Sequence, residues 1–573
     1  MIEEMLGLFF HGLWELIKLL SKAFYHFLKK HHRYACLLPI LLVAAYLRFS
    51  YVFSATGFLG IDKQDLQIVA DLFHGNLALI GGLLPPGNIT LGPFYAYLIA
   101  LPLWILGIDP IGPAFMAGIL SIATAYLLYG IGKQFFNLQA GLFAAGLYAV
   151  SPFVLSYSHL SWNVDVLSFF SLLLLWVLFN AAASARPFLY YVLAGFLLGI
   201  CLQLHYVAIF LIALIIMYMI ITEIIVKGKG FIVPLLLHLF ELLSGFVICL
   251  LPFLYYEALK GFPNTKALGE YFFAIAQSTD FIHFLVSLPQ MLFTLFARLI
   301  VHFPSADTVV YYSPIEVTML GYFAIVLLVF SCLVLIFFAR NKFVILVLLL
   351  WLFLGIASFS FFKNDIYDYH FSILYPVCFL LVGNLLATIF HLASQERVKM
   401  TRQLISQTAE SQSYTMMPVD VTDNRKLALH VTFMGISIVL FFLIVLLNLS
   451  VLPYRQESKE KKAQIKDVSA FILTKVAKEP FNFAIIATPN TPADSYDKAL
   501  KQLGNEPIRI QHLEIDPERK TLTEYLYVVC EGQCKPLESD LWDIRGFGKA
   551  AIIDHWDVQG VTVYKLVHLV EHN

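Results

Sequence analysis

Carboxylates come first in this sequence. Asp62 and Asp65 stand three residues apart in the stretch 60–95, GIDKQDLQIVADLFHGNLALIGGLLPPGNITLGPFY, and Asp71 follows them. This is the first sizeable polar stretch after a hydrophobic span. Residues three apart share one face of a helix, so both acids can point to one side. A carboxylate so placed commonly serves as general base for a hydroxyl. The alternative is a solvated loop in which Asp62 is a helix N-cap. Acids where a chain leaves a bilayer are costly unless something uses them.

Other polar groups gather at span ends. Arg48 lies inside the first apolar span; it either snorkels to the headgroups or pairs with an anion or with Asp62. The turn Ser158-His159-Leu160-Ser161-Trp162-Asn163 is followed by Asp165. Gln203 and His205 end one span, and Lys363 to His370, with Tyr369, precede another. A histidine at a span end also fits an interfacial residue hydrogen-bonded to backbone.

The elements that position these groups are membrane helices. Of 573 residues, 59% are hydrophobic and only 13% charged, with mean hydropathy +0.77. A soluble protein of this length carries far more polar surface. Apolar runs of bilayer-spanning length recur. They are 36–55, 112–133, 137–157, 162–183, 188–203, 206–225, 231–256, 315–339, 343–362, 371–391 and 430–451. The expected fold class is a polytopic α-helical membrane protein of about 11–13 spans with a small external α/β domain at its C-terminus. A net charge of −1 points to no bulk electrostatic partner, and nucleic acid is not expected.

Residues 1–35 read as an amphipathic helix on the cytoplasmic surface, with no cleavable signal, and end in the basic run KKHHR. Lys133, Arg186, Lys227, Lys229, Arg340, Lys342 and the loop 392–429 belong on the cytoplasmic side by the positive-inside rule. That assignment requires the apolar runs 91–108 and about 282–303 not to cross fully; if both cross, the count rises from 11 to 13. Either odd count leaves the C-terminus outside, in a cell membrane with the N-terminus cytoplasmic. The proposed organisation is 1–35 surface helix, 36–454 transmembrane domain with a first external loop at 56–111, and 455–573 soluble external domain. In that last domain 481–487, 523–530 and 561–569 read as strands, and about 456–478 and 493–503 as helices. Cys530 and Cys534, in CEGQC, form a disulfide in an oxidising compartment or remain free thiols. No zinc-type spacing, phosphate-binding glycine loop, serine-hydrolase elbow or transporter-type repeat is present.

Residues 36–390 resemble the lipid-phosphate-sugar-dependent glycosyltransferases of the GT-C class, nearest the bacterial branch related to protein O-mannosyltransferases and aminoarabinose transferases (glycosyltransferase family 39-like). Asp62 and Asp65 open a helix-like segment that closes on His74-Gly75, as in that family's first external loop. LGPFYAYLIALPLWILGIDP (91–110) is similar to its Gly-Pro-aromatic entry, and AGLFAAGLYAVSPFVLSYSHLSWN (140–163) to its alanine-rich span, Ser-Pro and Trp-Asn turn. QLHY (203–206) and DYHFSILYP (368–376) resemble two further external edges.

The resemblance implies inverting transfer of a sugar from a polyprenyl-phosphate donor to an acceptor hydroxyl on the extracytoplasmic face. The acceptor is a protein, lipid or glycan. Asp62 or Asp65 is then the base or acceptor positioner. Asp165 lies where some relatives carry a second acid, and His205, Lys363 and His370 are candidates for the phosphate. Arg48, His159, Asn163 and Tyr369 complete the expected substrate-binding set. No metal ligand is assigned, the metal requirement stays open, and the lipid-linked sugar is the donor substrate. Aminoarabinose transferases place Lys-Pro at the end of the first loop; here it reads Leu84-Pro85-Pro86-Gly87, with no Lys from 64 to 132. The competing classes are a lipid-linked sugar transporter or flippase, whose polar residues belong near the midplane, and a non-catalytic lipid-sugar-binding scaffold.

Overall fold

The computed structural model describes residues 36–54, 63–84, 89–106, 111–158, 162–181, 184, 186–278, 281–304, 313–338, 342–360, 368–410, 424–451, 459–476, 479–486, 495–511, 516, 518–532, 534–539 and 541–569. Asp62, His159 and Lys363 lie outside these residues, as does the expected surface helix at 1–35.

The apolar runs fold as helices: α1 (Leu37–Ser54), then α2 (Lys63–Phe73), which belongs to the first loop. A hairpin follows, β1 (Leu83–Leu84) antiparallel to β2 (Ile89–Thr90). The bundle continues with α3 (Phe94–Leu106), α4 (Ile111–Phe135), α5 (Leu138–Val150), α6 (Pro152–Tyr157), α7 (Leu167–Ala181) and α8 (Pro187–Leu204). After a 3-10 turn at Tyr206–Ile209 come α9 (Phe210–Lys227), α10 (Ile232–Lys260), α11 (Pro263–Ser278), α12 (Phe281–Val301), α13 (Pro314–Phe338) and α14 (Lys342–Ser360). A second 3-10 turn, Asp368–Leu374, leads into α15 (Tyr375–Glu410), and α16 (Asn424–Ser450) follows.

Among the described residues nine helices are long and apolar enough to cross a membrane, and four shorter apolar helices, α1, α3, α5 and α7, stand with them. This is a multi-pass membrane protein. The run 91–108 contains α3, whose 13 residues reach only about 20 Å at helical rise, short of a hydrocarbon core. The run near 282–303 is α12, whose Ile282–Val301 is long enough to cross. Yet Met291 meets Ser360 at the end of α14, and the carbonyls of Leu299 and Ile300 accept from Ser151 and Asn448. The second half of α12 thus packs on helix ends.

Two spans differ from the sequence pattern. The run 137–157 is broken at Ser151 (φ −62°, ψ 118°) because the proline ring of Pro152 disfavours α geometry in the preceding residue. The run 162–183 becomes helical only at Leu167; Asn163–Val166 form turns. That shortening frees a polar loop at the bundle end. Helices α8 and α10 meet at backbone distance. A Cβ on Gly195 would fall 1.8 Å from the Leu242 carbonyl oxygen, and one on Gly245 1.8 Å from that of Val192. Small residues at such crossings let membrane helices gain van der Waals contact where no hydrophobic force drives association.

The C-terminal domain has α17 (Lys459–Val476), β3 (Asn482–Ile486), α18 (Ser495–Gln502), β4 (Tyr525–Cys530), the single turn α19 (Trp542–Arg545), β5 (Ala550–Val558) and β6 (Val561–His568). The sheet order is β3-β4-β6-β5, with β3 parallel to β4 and the other pairs antiparallel. Ile465, Val468 and Ile472 of α17 bury one face with Tyr496 and Leu500, while Ile544 and Phe547 cover the other. Strand β5 is absent from the sequence reading; four of its residues, 552–555, are exposed, so it lacks the alternation that marks a half-buried strand. Cys530 and Cys534 are disulfide-bonded.

Candidate functional site

The polar loop after α6 is held by its own asparagine. Asn163 donates through Nδ2 to the carbonyl of Leu204, the last residue of α8. Next to it, His205 extends the backbone (φ −164°, ψ 135°), and its Nδ1 accepts from the Val207 amide at 3.2 Å, capping the 3-10 turn. The His205 ring meets that of His370 at 5.3 Å, His370 meets Tyr369 at 4.3 Å, and Tyr369 meets Trp162 at 5.5 Å. Trp162, His205, Tyr369 and His370, from three segments, thus form one aromatic and imidazole cluster. Burial in this stack, and then the neighbouring His370 ring, hold His205 well below the ordinary histidine value, at about 3. Its imidazole is neutral near neutral pH and serves as a hydrogen-bonding group rather than a cation.

Beside the cluster lies a small, partly open cavity with room for about one water molecule. Asp165 lines it with Ser121, Tyr148, Tyr157, Ser158, Ser168, Ser372 and Tyr375. Both carboxyl oxygens of Asp165 are sealed from solvent and no side chain donates to them, and the Ser372 hydroxyl is likewise without a partner. Burial holds the Asp165 carboxyl well above the usual carboxylate range, and the Trp162 backbone only partly offsets that. Burying an unpaired carboxylate costs several kcal/mol, so Asp165 either keeps its proton or takes a donor that enters the cavity. Arg48 stands behind this cavity rather than at the headgroups. It is 1% exposed, donates to Ser121 Oγ at 2.8 Å and to the carbonyls of Ala44 and Ala149 at 3.2 and 3.0 Å, and rests 5.5 Å from the Tyr148 ring. Ser121 Oγ lies 3.2 Å from Tyr148 Oη. Snorkelling is therefore excluded, and Arg48 orders two residues of the cavity wall.

Asp65 reaches the same end of the bundle through the first loop. Helix α2 closes at His74-Gly75, with Gly75 at φ 89°. Gln64 Oε1 accepts from the Leu83 amide at 3.1 Å, and a Cβ on Gly82 would come 3.4 Å from Asp65 Oδ1, so the carboxylate lies against the hairpin. The hairpin in turn sits on Gln203, whose Oε1 accepts from the Phe94 amide at 3.2 Å. Gln203 packs so closely under Gly92 that a Cβ there would fall 2.3 Å from its Cγ.

Sequence reasoning missed the cavity serines 121, 168 and 372, and it missed Arg298, whose guanidinium lies 5.8 Å from the Phe153 ring. Phe153 touches Tyr157 and Tyr375 of the cavity. A basic residue in the last turn of an apolar helix was the available signal for Arg298. Among the described residues no group of three or more His, Cys, Asp or Glu side chains is placed to hold a metal ion.

The profile of the dolichyl-phosphate-mannose-protein mannosyltransferase family matches residues 90–256. That segment supplies Asn163, Asp165 and His205, and the match agrees with the resemblance read from the residues. No curated protein matches the chain. Among solved structures, the oligosaccharyltransferase AglB from Archaeoglobus fulgidus, in complex with an inhibitory peptide and a dolichol-phosphate, is 15% identical. The alignment covers 87% of this chain and 70% of that one, with a TM-score of 0.48. ArnT from Cupriavidus metallidurans, bound to undecaprenyl phosphate, is 12% identical over 93% of this chain and 97% of its own, with a TM-score of 0.45.

Proposed function

We propose that this protein is an integral-membrane glycosyltransferase that moves a sugar from a polyprenyl-phosphate donor to an acceptor hydroxyl, with inversion at the anomeric carbon. The observation that carries the reading is the buried Asp165 carboxyl, which no side chain satisfies, facing a hydroxyl-lined cavity beside the Trp162–His205–His370 cluster. The mannosyltransferase family match over 90–256 supports it, since it covers that aspartate.

In this reading the acceptor oxygen attacks the anomeric carbon, and the bond from that carbon to the phosphate oxygen breaks. The polyprenyl phosphate leaves with the electron pair. The acceptor proton passes to Asp62 or Asp65 on the first loop. The cavity is too small for a sugar ring, so the ring lies at its mouth and one hydroxyl donates to Asp165. Phosphate charge develops where cations and donors meet it; Arg298, His370 and Lys363 are the candidates, and neutral His205 contributes a hydrogen bond only. The reaction runs on the extracytoplasmic side of a cell membrane, with the C-terminal domain on that side.

Native mass spectrometry of the purified protein tests this. A polyprenyl-phosphate lipid carrying a sugar co-purifies, and Asp165→Asn weakens retention of the sugar-bearing lipid by roughly tenfold, the worth of one hydrogen bond. It leaves bare polyprenyl phosphate bound as before. Equal retention of both lipids by wild type and Asp165→Asn contradicts the role given to Asp165. Absence of any isoprenoid lipid contradicts the donor class.

A further inference from the structure

Helix α10 ends in a turn of unusual backbone. Gly261 sits at φ 75° and Phe262, a bulky non-glycine residue, at φ 62°. Such a turn persists only where its surroundings over-determine it. Glu257, 1% exposed, supplies that constraint. Its Oε1 accepts from the Asn264 amide and Nδ2 at 3.1 and 3.0 Å, and its Oε2 from the Thr265 amide and hydroxyl at 2.9 and 2.7 Å. The carboxylate thereby caps the first turn of α11, where backbone N–H groups lack helical partners and favour negative charge.

With Asn264 Nδ2 held by Glu257, its Oδ1 faces the first loop. It accepts from the Thr90 amide at 2.7 Å and from the Thr90 hydroxyl at 3.0 Å. The Thr90 carbonyl accepts from Tyr206 Oη at 2.8 Å, and Tyr206 follows His205. Thr90 is therefore a node between the α10–α11 turn and the histidine turn. It belongs to the hairpin against which Asp65 lies.

We infer that Glu257 is a positioning residue: through Asn264 and Thr90 it fixes the β1–β2 hairpin, and with it the acidic helix α2, relative to the His205 turn. What α2 then does there rests on the glycosyl-transfer reading; the clamp itself does not. A misplacement of about 1 Å in a catalytic group costs roughly 10²-fold in rate. Glu257 and Asn264 are buried at 1% and 4% exposure and so act through the hairpin; their loss lowers kcat and leaves donor KM nearly unchanged.

The test uses the full-length protein in lipid nanodiscs, with hydrogen exchange read over 81–92 and sugar transfer measured in parallel. In Asn264→Ala and in Glu257→Gln, exchange at the Gly81 and Leu91 amides, which pair across the hairpin, rises about tenfold or more. In both variants kcat falls roughly 10²-fold while donor KM stays within about twofold. Thr90→Val, which keeps the fold and removes one hydroxyl, shows the same direction at smaller size, and Thr90→Ser restores wild-type exchange. Unchanged hairpin exchange in Asn264→Ala and Thr90→Val overturns the clamp. Faster exchange with unaltered kcat overturns its positioning role. A wild-type protein without transfer activity defeats the functional reading, while hairpin exchange still decides the clamp.

Discussion

At the scale of single residues, the acids divide by environment. Asp165 is sealed in a cavity with no side-chain partner, Asp65 lies against the hairpin backbone, and Asp62 is outside the described residues. If Asp62 takes the acceptor proton, Asp62→Asn keeps size and hydrogen bonding but cannot act as base, and transfer falls about 10²–10⁴-fold. Asp65→Asn loses less, and Asp71→Asn, whose carboxylate is exposed and accepts from Gln67 at 3.0 Å, loses little. Near-full transfer by Asp62→Asn with a dead Asp65→Asn moves the base one helical turn; no loss in either refutes the catalytic role of the loop. A pH–rate profile carries no step from His205 between about pH 5 and 8, since its value of about 3 keeps the ring neutral throughout. An inflection near pH 6.5 that disappears in His205→Asn contradicts this.

At the scale of elements, the site depends on how chain ends are brought together. Helix α8 carries Gln203 and leads into His205, and α10 carries Glu257, so the α8–α10 crossing sets the spacing of both. Gly195→Val places two methyl groups where a Cβ already falls 1.8 Å from a carbonyl oxygen. Overpacking of this kind costs about 1–3 kcal/mol, read as a lower thermal midpoint together with reduced transfer. Gly130→Ala in α4, where an added Cβ meets nothing within 4 Å, serves as the neutral comparison. A midpoint unchanged in Gly195→Val contradicts the close crossing. Most of these elements were legible from apolar length, and the Trp162-Asn163, His205 and Tyr369-His370 edges were legible as polar breaks between runs. The clamp was not, because Thr90 and Asn264 are 174 residues apart and no sequence pattern pairs them. The broken span at Ser151 was readable in Pro152, but apolar length outweighed it.

At the scale of the whole molecule, the two ends of the bundle differ. One end gathers the cavity, the histidines and the first loop. At the other, near the starts of α8 and α10, His238 stacks on Tyr191 at 4.3 Å and lies 3.6 Å from Glu223 and 2.8 Å from Glu241. The sequence reading expected mainly basic anchors there. It missed this cluster because isolated acids within apolar runs give no periodic signal. The orientation proposed from the basic residues has the first end outside. Cysteines introduced at 88, 160 and 500 therefore react with an impermeant thiol reagent from outside, and one at 410 does not; external labelling at 410 would relocate the active site.

The central claim is that a lipid-linked sugar is chemically transferred, and turnover in proteoliposomes tests it most directly. Purified protein is reconstituted with polyprenyl-phosphate sugar and candidate acceptors, and the lipid is followed by mass spectrometry. The account predicts that the sugar leaves the lipid, polyprenyl phosphate accumulates in equal amount, and the glycosylated acceptor carries the inverted anomer. Lipid-sugar that crosses the bilayer chemically intact, with no polyprenyl phosphate released, would contradict it and make the protein a transporter.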